Sequence, residues 1–291
     1  MNSVLKAEGV KKNFYVGFQS KKVEALKGLN FEVPAGTITC FLGPNGSGKS
    51  TFIKIATNLV SPTEGRVLFF GDQPYAKARS RVGYVPEKPE FPGFLTPVEI
   101  LKFVGSITSN FEEKRILETL ELVDLAYVKD RRCKGFSKGM NQRLALAQAL
   151  LSQPDLLILD EPFNGLDPES RLSTVNTLNE YAKSGKSVFL TSHLLEDVQK
   201  VCDFLVVIRQ GQVRYMGDVK SLVKTTTFSV QYKKSDSNEL HFETVAEHSL
   251  GPTLQNYIQQ NYRIWSVTPD NQELTAIYKM LLEGSDVKET Y

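Results

Sequence analysis

Residues 43–50 read Gly-Pro-Asn-Gly-Ser-Gly-Lys-Ser, after the apolar run ITCFL and ahead of the helical stretch KSTFIKIATNLV. That is a complete match to the phosphate-loop pattern GxxxxGK[ST], in the strand-then-helix context the pattern requires. Glycines let the backbone curl so that several N–H groups point inward at phosphate oxygens. A helix N-terminus behind the loop adds a favourable dipole. Lys49 is expected to reach the β- and γ-phosphates, and the Ser50 hydroxyl to bind Mg²⁺. Gly43, Pro44, Asn45, Gly46, Ser47, Gly48 and Thr51 complete the expected binding segment. A chain that ends a buried strand in such a loop is constrained to an open α/β sheet with its ligands at one edge.

The remaining pattern agrees with that constraint. VLKAEGV, EALKGLNFEV and TITCFLG read as strands near the N-terminus, and GRVLFFG and RVGYVP follow the helix expected over 49–60. Helical periodicity covers 96–107, with Thr96 and Pro97 as N-cap and first helical residue, then 111–124 and 138–152. LLILD (156–160), a helix over 168–183, SVFLTS (187–192), a helix near 194–200 and FLVVIRQG (204–211) continue the alternation. Continuous apolar strands between helices indicate a buried, mostly parallel sheet. After about residue 220 the character changes. FSVQYK, ELHFETV and RIWSVT read as strands, PTLQNYIQQ and NQELTAIYKMLLEG as helices, and KKSDSNE as a turn, which makes a small α+β appendage. The tail GSDVKETY is expected to fray.

LLILDE (156–161) is an apolar strand ending in two carboxylates. Asp160 at the strand end is placed to hold Mg²⁺, and Glu161 to polarise an attacking water. His193 follows the strand SVFLTS and is expected at the same sheet edge.

Phe136-Ser137-Lys138-Gly139-Met140 directly precedes the helix NQRLALAQALL and then LLILDE. This segment resembles the signature of ABC-type ATPases, usually LSGGQ; it departs at three of five positions and keeps Ser137 and Gly139. EPFNGLDP (161–168) resembles the family's D-loop, Thr191-Ser192-His193 its switch-histidine segment, and Gly83-Tyr-Val-Pro-Glu87 its Q-loop strand, with Glu87 where glutamine is usual. The order of these elements is the family's order, over roughly residues 3–220. The resemblance implies a P-loop NTPase ABC cassette over 1–220: a RecA-like parallel-sheet core, an N-terminal antiparallel β subdomain and an inserted helical subdomain at about 92–152, with the small α+β domain at 221–291. It implies ATP and Mg²⁺ as cofactors, Ser50, Asp160 and Glu87 near the metal, and Glu161 and His193 at the attacking water. It also implies an aromatic stacked on adenine, for which Phe14 fits the spacing from Lys12 and Tyr15 is the fallback.

By the same resemblance, Ser137 and Gly139 form a second phosphate cradle that contacts the ATP of an opposite cassette in a head-to-tail dimer, with Asp167 at that interface. The stretch 88–105, with Phe91, Phe94 and Leu95 amid Pro and Gly, suits docking of a separate integral membrane permease. FSKGM and YVPE resemble bacterial export-type cassettes. The expected activity is therefore ATP hydrolysis powering a transporter, from a peripheral position on the cytoplasmic face of the cell membrane. The alternative is a soluble ABC ATPase working on ribosomes, nucleic acid or chromosomes.

Composition separates these two. Lys plus Arg is 35 and Asp plus Glu 33, a net charge of +2, without a basic block to track a phosphate backbone; no nucleic-acid partner is expected. No sustained heptads are present. Hydrophobic residues are 41% and charged residues 23%, which excludes a disordered or low-complexity chain. Cys40, Cys133 and Cys202 lie far apart and form no CxxC, so neither zinc nor a disulfide framework is indicated and a reducing cytoplasm is expected. No apolar run approaches the roughly 18 residues of a membrane span, and MNSVLKAEGVKKNF lacks a signal-peptide core.

Overall fold

A computed structural model of the chain describes residues 3–16, 21–108, 111–219, 227–235, 239–269 and 278. The chain divides into two compact units, Met1–Gly217 and Asp218–Tyr291. In the first, the elements follow as β1 (Ser3–Val16), β2 (Lys21–Pro34), β3 (Ile38–Leu42), α1 (Lys49–Ala56), β4 (Glu64–Phe69), β5 (Gln73–Pro74), α2 (Tyr75–Ala78) and β6 (Val82–Val85). There follow α3 (Pro97–Ser106), α4 (Lys114–Leu122), α5 (Lys138–Leu150), β7 (Leu156–Leu159), α6 (Pro168–Lys183), β8 (Ser187–Ser192), α7 (Leu195–Val201), β9 (Phe204–Arg209) and β10 (Gln212–Asp218).

Two sheets build this unit. β2-β1-β4-β5 is antiparallel throughout, and the other sheet has the order β10-β9-β3-β8-β7-β6. In it β3 runs parallel to β8 and β9, and β7 parallel to β6 and β8. Every residue of β3, β7 and β8 is buried, as strands covered on both faces must be. The register pairs Leu42 with Ser192 and Leu159 with Leu190. It therefore brings residues 43–48, 160–161 and 193 to the same edge of the sheet.

Four phenylalanines join the two sheets at this point. Phe31 of β2, Phe41 of β3, Phe52 of α1 and Phe189 of β8 are at most 3% exposed, and every pair of their rings lies between 4.9 and 6.1 Å. Those separations are favourable for offset and tilted rings. Phe41 and Phe52 bracket the glycine-rich loop in sequence, so the cluster anchors both of its ends.

Several elements begin or end away from their expected boundaries. The helix expected over 49–60 stops at Ala56, followed by Asn58 in the left-handed region at φ 59°. The Thr96 cap is present: its hydroxyl accepts the Glu99 N–H at 3.2 Å, and the Glu99 carboxylate accepts the Thr96 N–H at 2.8 Å. β10 was not expected. Its alternating exposed and half-buried residues carry no long apolar run, and pairing beside β9 makes it a strand. In the segment 88–105 only part of the expected apolar surface is open. Phe94 is 72% exposed, whereas Phe91 and Leu95 are half-buried; Leu95 is held between backbone bonds to Pro92 and Cys133.

In the second unit β11 (Thr227–Lys233), β12 (Leu240–Ala246), α8 (Glu247–Gln259) and β13 (Arg263–Pro269) form a sheet of order β12-β11-β13 with one helix. Val230, Val245 and Tyr257 are its core. The helix begins before the expected PTLQNYIQQ, and Pro252 lies inside it, where it cannot donate to the preceding turn. The expected helix NQELTAIYKMLLEG and the tail lie outside the described residues, Tyr278 apart, as does part of KKSDSNE.

Phe52→Ala should lower the unfolding free energy by about 3–5 kcal/mol, the usual effect of deleting a buried aromatic ring. Urea denaturation followed by circular dichroism measures it. A loss below about 1 kcal/mol would remove the aromatic cluster from its anchoring role.

Candidate nucleotide site

The loop between β3 and α1 is shaped by backbone. Gly48 stands at the N-cap of α1 with φ 112° and no side-chain cap. A Cβ there would sit 2.6 Å from Leu26 Cδ2 and 2.9 Å from the Ala25 carbonyl, so both the angle and the contact require glycine. The loop is tied down at both ends: Gly43 donates its N–H to the Ser192 carbonyl at 3.1 Å, and Gly211 donates to the Ser47 carbonyl at 2.9 Å. The Ser47 hydroxyl is buried without a hydrogen-bond partner. α1 thus starts with free first-turn N–H groups and no acidic residue beside them, which is what an incoming anion needs.

Lys49 is 5% exposed, and a cation so deeply buried must be paired. Its ammonium donates to the Gly43 carbonyl at 2.7 Å and the Pro44 carbonyl at 3.3 Å, and lies 3.2 Å from Glu161 Oε1. The other Glu161 oxygen, Oε2, is 2.9 Å from His193 Nδ1. Glu161 turns out of β7 at φ 48°, an unusual angle for a residue with a side chain. The Thr191 hydroxyl holds that turn by accepting the Glu161 N–H at 2.8 Å.

The same Thr191 hydroxyl donates to Asp160 Oδ1 at 2.8 Å, and the Ser50 hydroxyl donates to that oxygen at 3.3 Å. Burial pushes the Asp160 carboxyl above its ordinary pKa; the bonds from Thr191 and Ser50 oppose this, and the Glu161 and Glu87 charges add to it. Such a carboxylate gains most from a cation. Ser50 and Asp160 offer hard oxygen donors, as does the Glu87 carboxylate lining the same cavity, and these suit Mg²⁺. Among the described residues no group of three or more His, Cys, Asp or Glu could hold a metal by itself.

The cavity over the loop measures ≈ 600 Å³, and Asn45, Gly46, Gly48, Lys49, Ser50 and Thr51 form its floor. Glu87, Glu161, Asn164 and His193 line one side, and Val23, Glu24 and Ala25 of β2 also line it. Neither Phe14 nor Tyr15 lines it. Phe14 is 38% exposed, with the Lys12 ammonium 5.0 Å from its ring centroid, and pairs across the strands with Val23 of the cavity wall. Tyr15 pairs with Lys22 and is 69% exposed.

Ser137, Gly139 and Asp167 form a separate group that does not line this cavity. Ser137 caps α5, its hydroxyl accepting the Met140 N–H at 3.1 Å. Asp167 caps α6, accepting the Ser170 N–H at 2.9 Å and the Ser170 hydroxyl at 2.8 Å. A Cβ on Gly139 would lie 2.3 Å from that hydroxyl, so the two helix starts touch.

Sequence reasoning passed over three contributors. Thr191, noted only as part of the switch-histidine segment, joins both acids from near the end of β8. Asn164 donates to Glu87 Oε1 at 3.2 Å, inside a segment noted only for its D-loop likeness. Residues 23–25 carry no local signal.

Comparison with known proteins places the chain. Residues 26–164 match the family model described as ABC transporter. The ABC transporter ATP-binding protein YdbJ of Bacillus subtilis is 32% identical over 291 residues, spanning 93% of this chain and 92% of its own. The lantibiotic transport ATP-binding protein SrtF of Streptococcus pyogenes is 34% identical over 210 residues, 72% of this chain and 89% of its own. Among solved structures, cbiO1 of Clostridium perfringens, part of an ABC transporter complex, is 29% identical with a TM-score of 0.66, covering 76% of this chain and 90% of that one. The dimeric bacterial cassette MJ0796 is 25% identical with a TM-score of 0.67, covering 74% and 98%. With its phosphate loop, paired acids and this ancestry together, the chain belongs to the ATP-binding proteins of the ABC transporter family.

Proposed function

We propose that this protein hydrolyses ATP as the nucleotide-binding subunit of a transporter whose membrane part is a separate chain. The observation that carries the reading is the convergence of Lys49, Ser50, Glu161 and His193 on one cavity through short polar contacts, with Asp160 bonded to Ser50 behind them. Phosphates seated in the loop would take over Lys49, which now neutralises Glu161. Released from the lysine, Glu161 would remain bonded to His193 and accept a proton from water aligned with the γ-phosphate. His193 keeps that carboxylate aimed. Mg²⁺, held by Ser50 and Asp160 with Glu87 nearby, would neutralise charge building on the phosphate oxygens.

A second cassette completes the site in this reading. Ser137 spends an acceptor lone pair on its cap, so its O–H stays available to donate to a phosphate on an opposing cassette. Gly139 behind it and Asp167 beside it would lie at the same head-to-tail junction. Adenine would rest against the Val23–Ala25 wall, with Phe14 at its margin. The membrane partner would dock near 88–105, where Phe94 and Phe103 are 72% and 66% exposed. Among the described residues no helix is long and apolar enough to cross a membrane. As the ATP-binding partner of a membrane chain, the subunit would sit peripherally on the inner face of the cell membrane. The lantibiotic transport name of SrtF and the export-type form of FSKGM and YVPE support export as the direction.

Glu161→Gln should abolish turnover, by about 10²–10⁴-fold, while ATP still binds. Phosphate release and fluorescent-nucleotide titration measure the two separately, and near-normal turnover would sink the assignment. Lys49→Ala should instead weaken nucleotide binding itself. Tagged Glu161→Gln protein, pulled from detergent-solubilised membranes with MgATP, should bring down a stoichiometric multi-span protein identified by mass spectrometry. Recovery with ribosomes or nucleic acid would move the function to the soluble ABC class.

A further inference from the structure

Asp197, in the first turn of α7, is 3% exposed, and phosphate chemistry gives it no evident task. Its two carboxylate oxygens reach different elements. Oδ2 accepts the Ser192 hydroxyl at 2.6 Å, and Oδ1 pairs with the Arg171 guanidinium of α6. The Ser192 oxygen also accepts the Leu194 N–H at 3.0 Å, and the Ser192 carbonyl accepts the Gly43 N–H at 3.1 Å. The residues immediately before and after His193 are thus tied to one hydroxyl, and that hydroxyl is tied to Asp197. From this anchored loop the His193 ring reaches Glu161 at 2.9 Å.

Arg171 connects the anchor to the other group of motif residues. It stands in the first turn of α6 and donates its backbone N–H to the Asp167 carbonyl at 3.0 Å. Ser170, next to it, holds the Asp167 carboxylate and fills the space against Gly139. One continuous set of contacts therefore runs from Gly139 through Ser170, Arg171, Asp197 and Ser192 to His193 and Glu161. We propose that Arg171 and Asp197 are positioning residues, which set the His193 loop against Glu161 from the helix start that touches the signature segment. A buried carboxylate that loses its cationic partner is strongly penalised, and among the described residues Arg171 is the cation paired with Asp197, so the pair holds a defined geometry. Misplacing a reacting group by about 1 Å already costs on the order of 10²-fold in rate, which gives such a clamp its leverage.

The proposal rests on the ATPase reading for its kinetic effect and not for its structural one, so two readouts are needed. The full-length protein is used in both. Asp197→Asn and Arg171→Met should each lower kcat by about 10- to 100-fold while ATP affinity stays within about twofold. In a His193→Ala background, Asp197→Asn should add nothing, because both changes act through the same ring. Arg171→Lys should restore part of the rate. Independently of turnover, the three histidines, His193, His241 and His248, can be resolved by imidazole ¹⁵N resonances, with His193→Ala assigning its own signal. Asp197→Asn should move the His193 resonances and leave the other two in place. An unmoved His193 signal in folded Asp197→Asn protein overturns the proposal. So does a further tenfold loss of kcat on adding Asp197→Asn to His193→Ala. If the wild-type protein shows no turnover while Asp197→Asn still moves the His193 resonances, the ATPase reading falls and the positioning role stands.

Discussion

Packing of Phe31, Phe41, Phe52 and Phe189 decides where the chemistry of this protein can happen. A phosphate loop binds through backbone N–H groups, and these are useful only if the loop's curvature is held against thermal motion. Here the strand before the loop and the helix after it each contribute one ring to a cluster shared with β2 and β8. Dispersion and burial over four aromatic rings supply the rigidity that a run of glycines lacks. Because Phe31 belongs to the antiparallel sheet, the same cluster also brings the Val23–Ala25 wall to the cavity.

Electrostatics inside the cavity follow from that rigidity. Lys49, Asp160 and Glu161 are all under 10% exposed, and each would be costly to bury alone. They are kept by pairing: lysine with Glu161, Asp160 with two hydroxyls, Glu161 with His193. The two adjacent acids differ by environment. Asp160 faces hydroxyl donors and suits a cation, whereas Glu161 is turned by an unusual backbone angle toward a lysine and a histidine. Adjacent residues can take such different roles because Thr191 fixes the turn between them with one oxygen.

Much of this was legible in the linear order of residues. Apolar runs of the right length became β3, β7 and β8, since burial on both faces demands continuous hydrophobicity. Thr96 became the cap expected of it because a short polar side chain satisfies helix-start N–H groups wherever it occurs; Ser137 and Asp167, read only for their likeness to the signature and D-loop, cap α5 and α6 for the same reason. β10 and the early start of α8 were illegible for the opposite reason. Their local propensity is weak or contradictory, and neighbouring strands or an apolar face decide their state. Leu95 failed as exposed surface because local composition does not report the backbone bonds to Pro92 and Cys133 that draw it inward.

What the residue order determined by itself is the chemistry available at the sheet edge: the glycine spacing, the lysine and serine after it, the two acids ending one strand and the histidine following another. Each of these signals is local, set by a few neighbouring residues and the backbone physics of turns and strand ends. What only the tertiary structure decided is who meets whom. That Glu161 bridges Lys49 and His193, that Thr191 serves both acids, and that Asp197 meets Arg171 all depend on strand order, register and helix packing. Those are properties of the packed fold, and no window of sequence contains them.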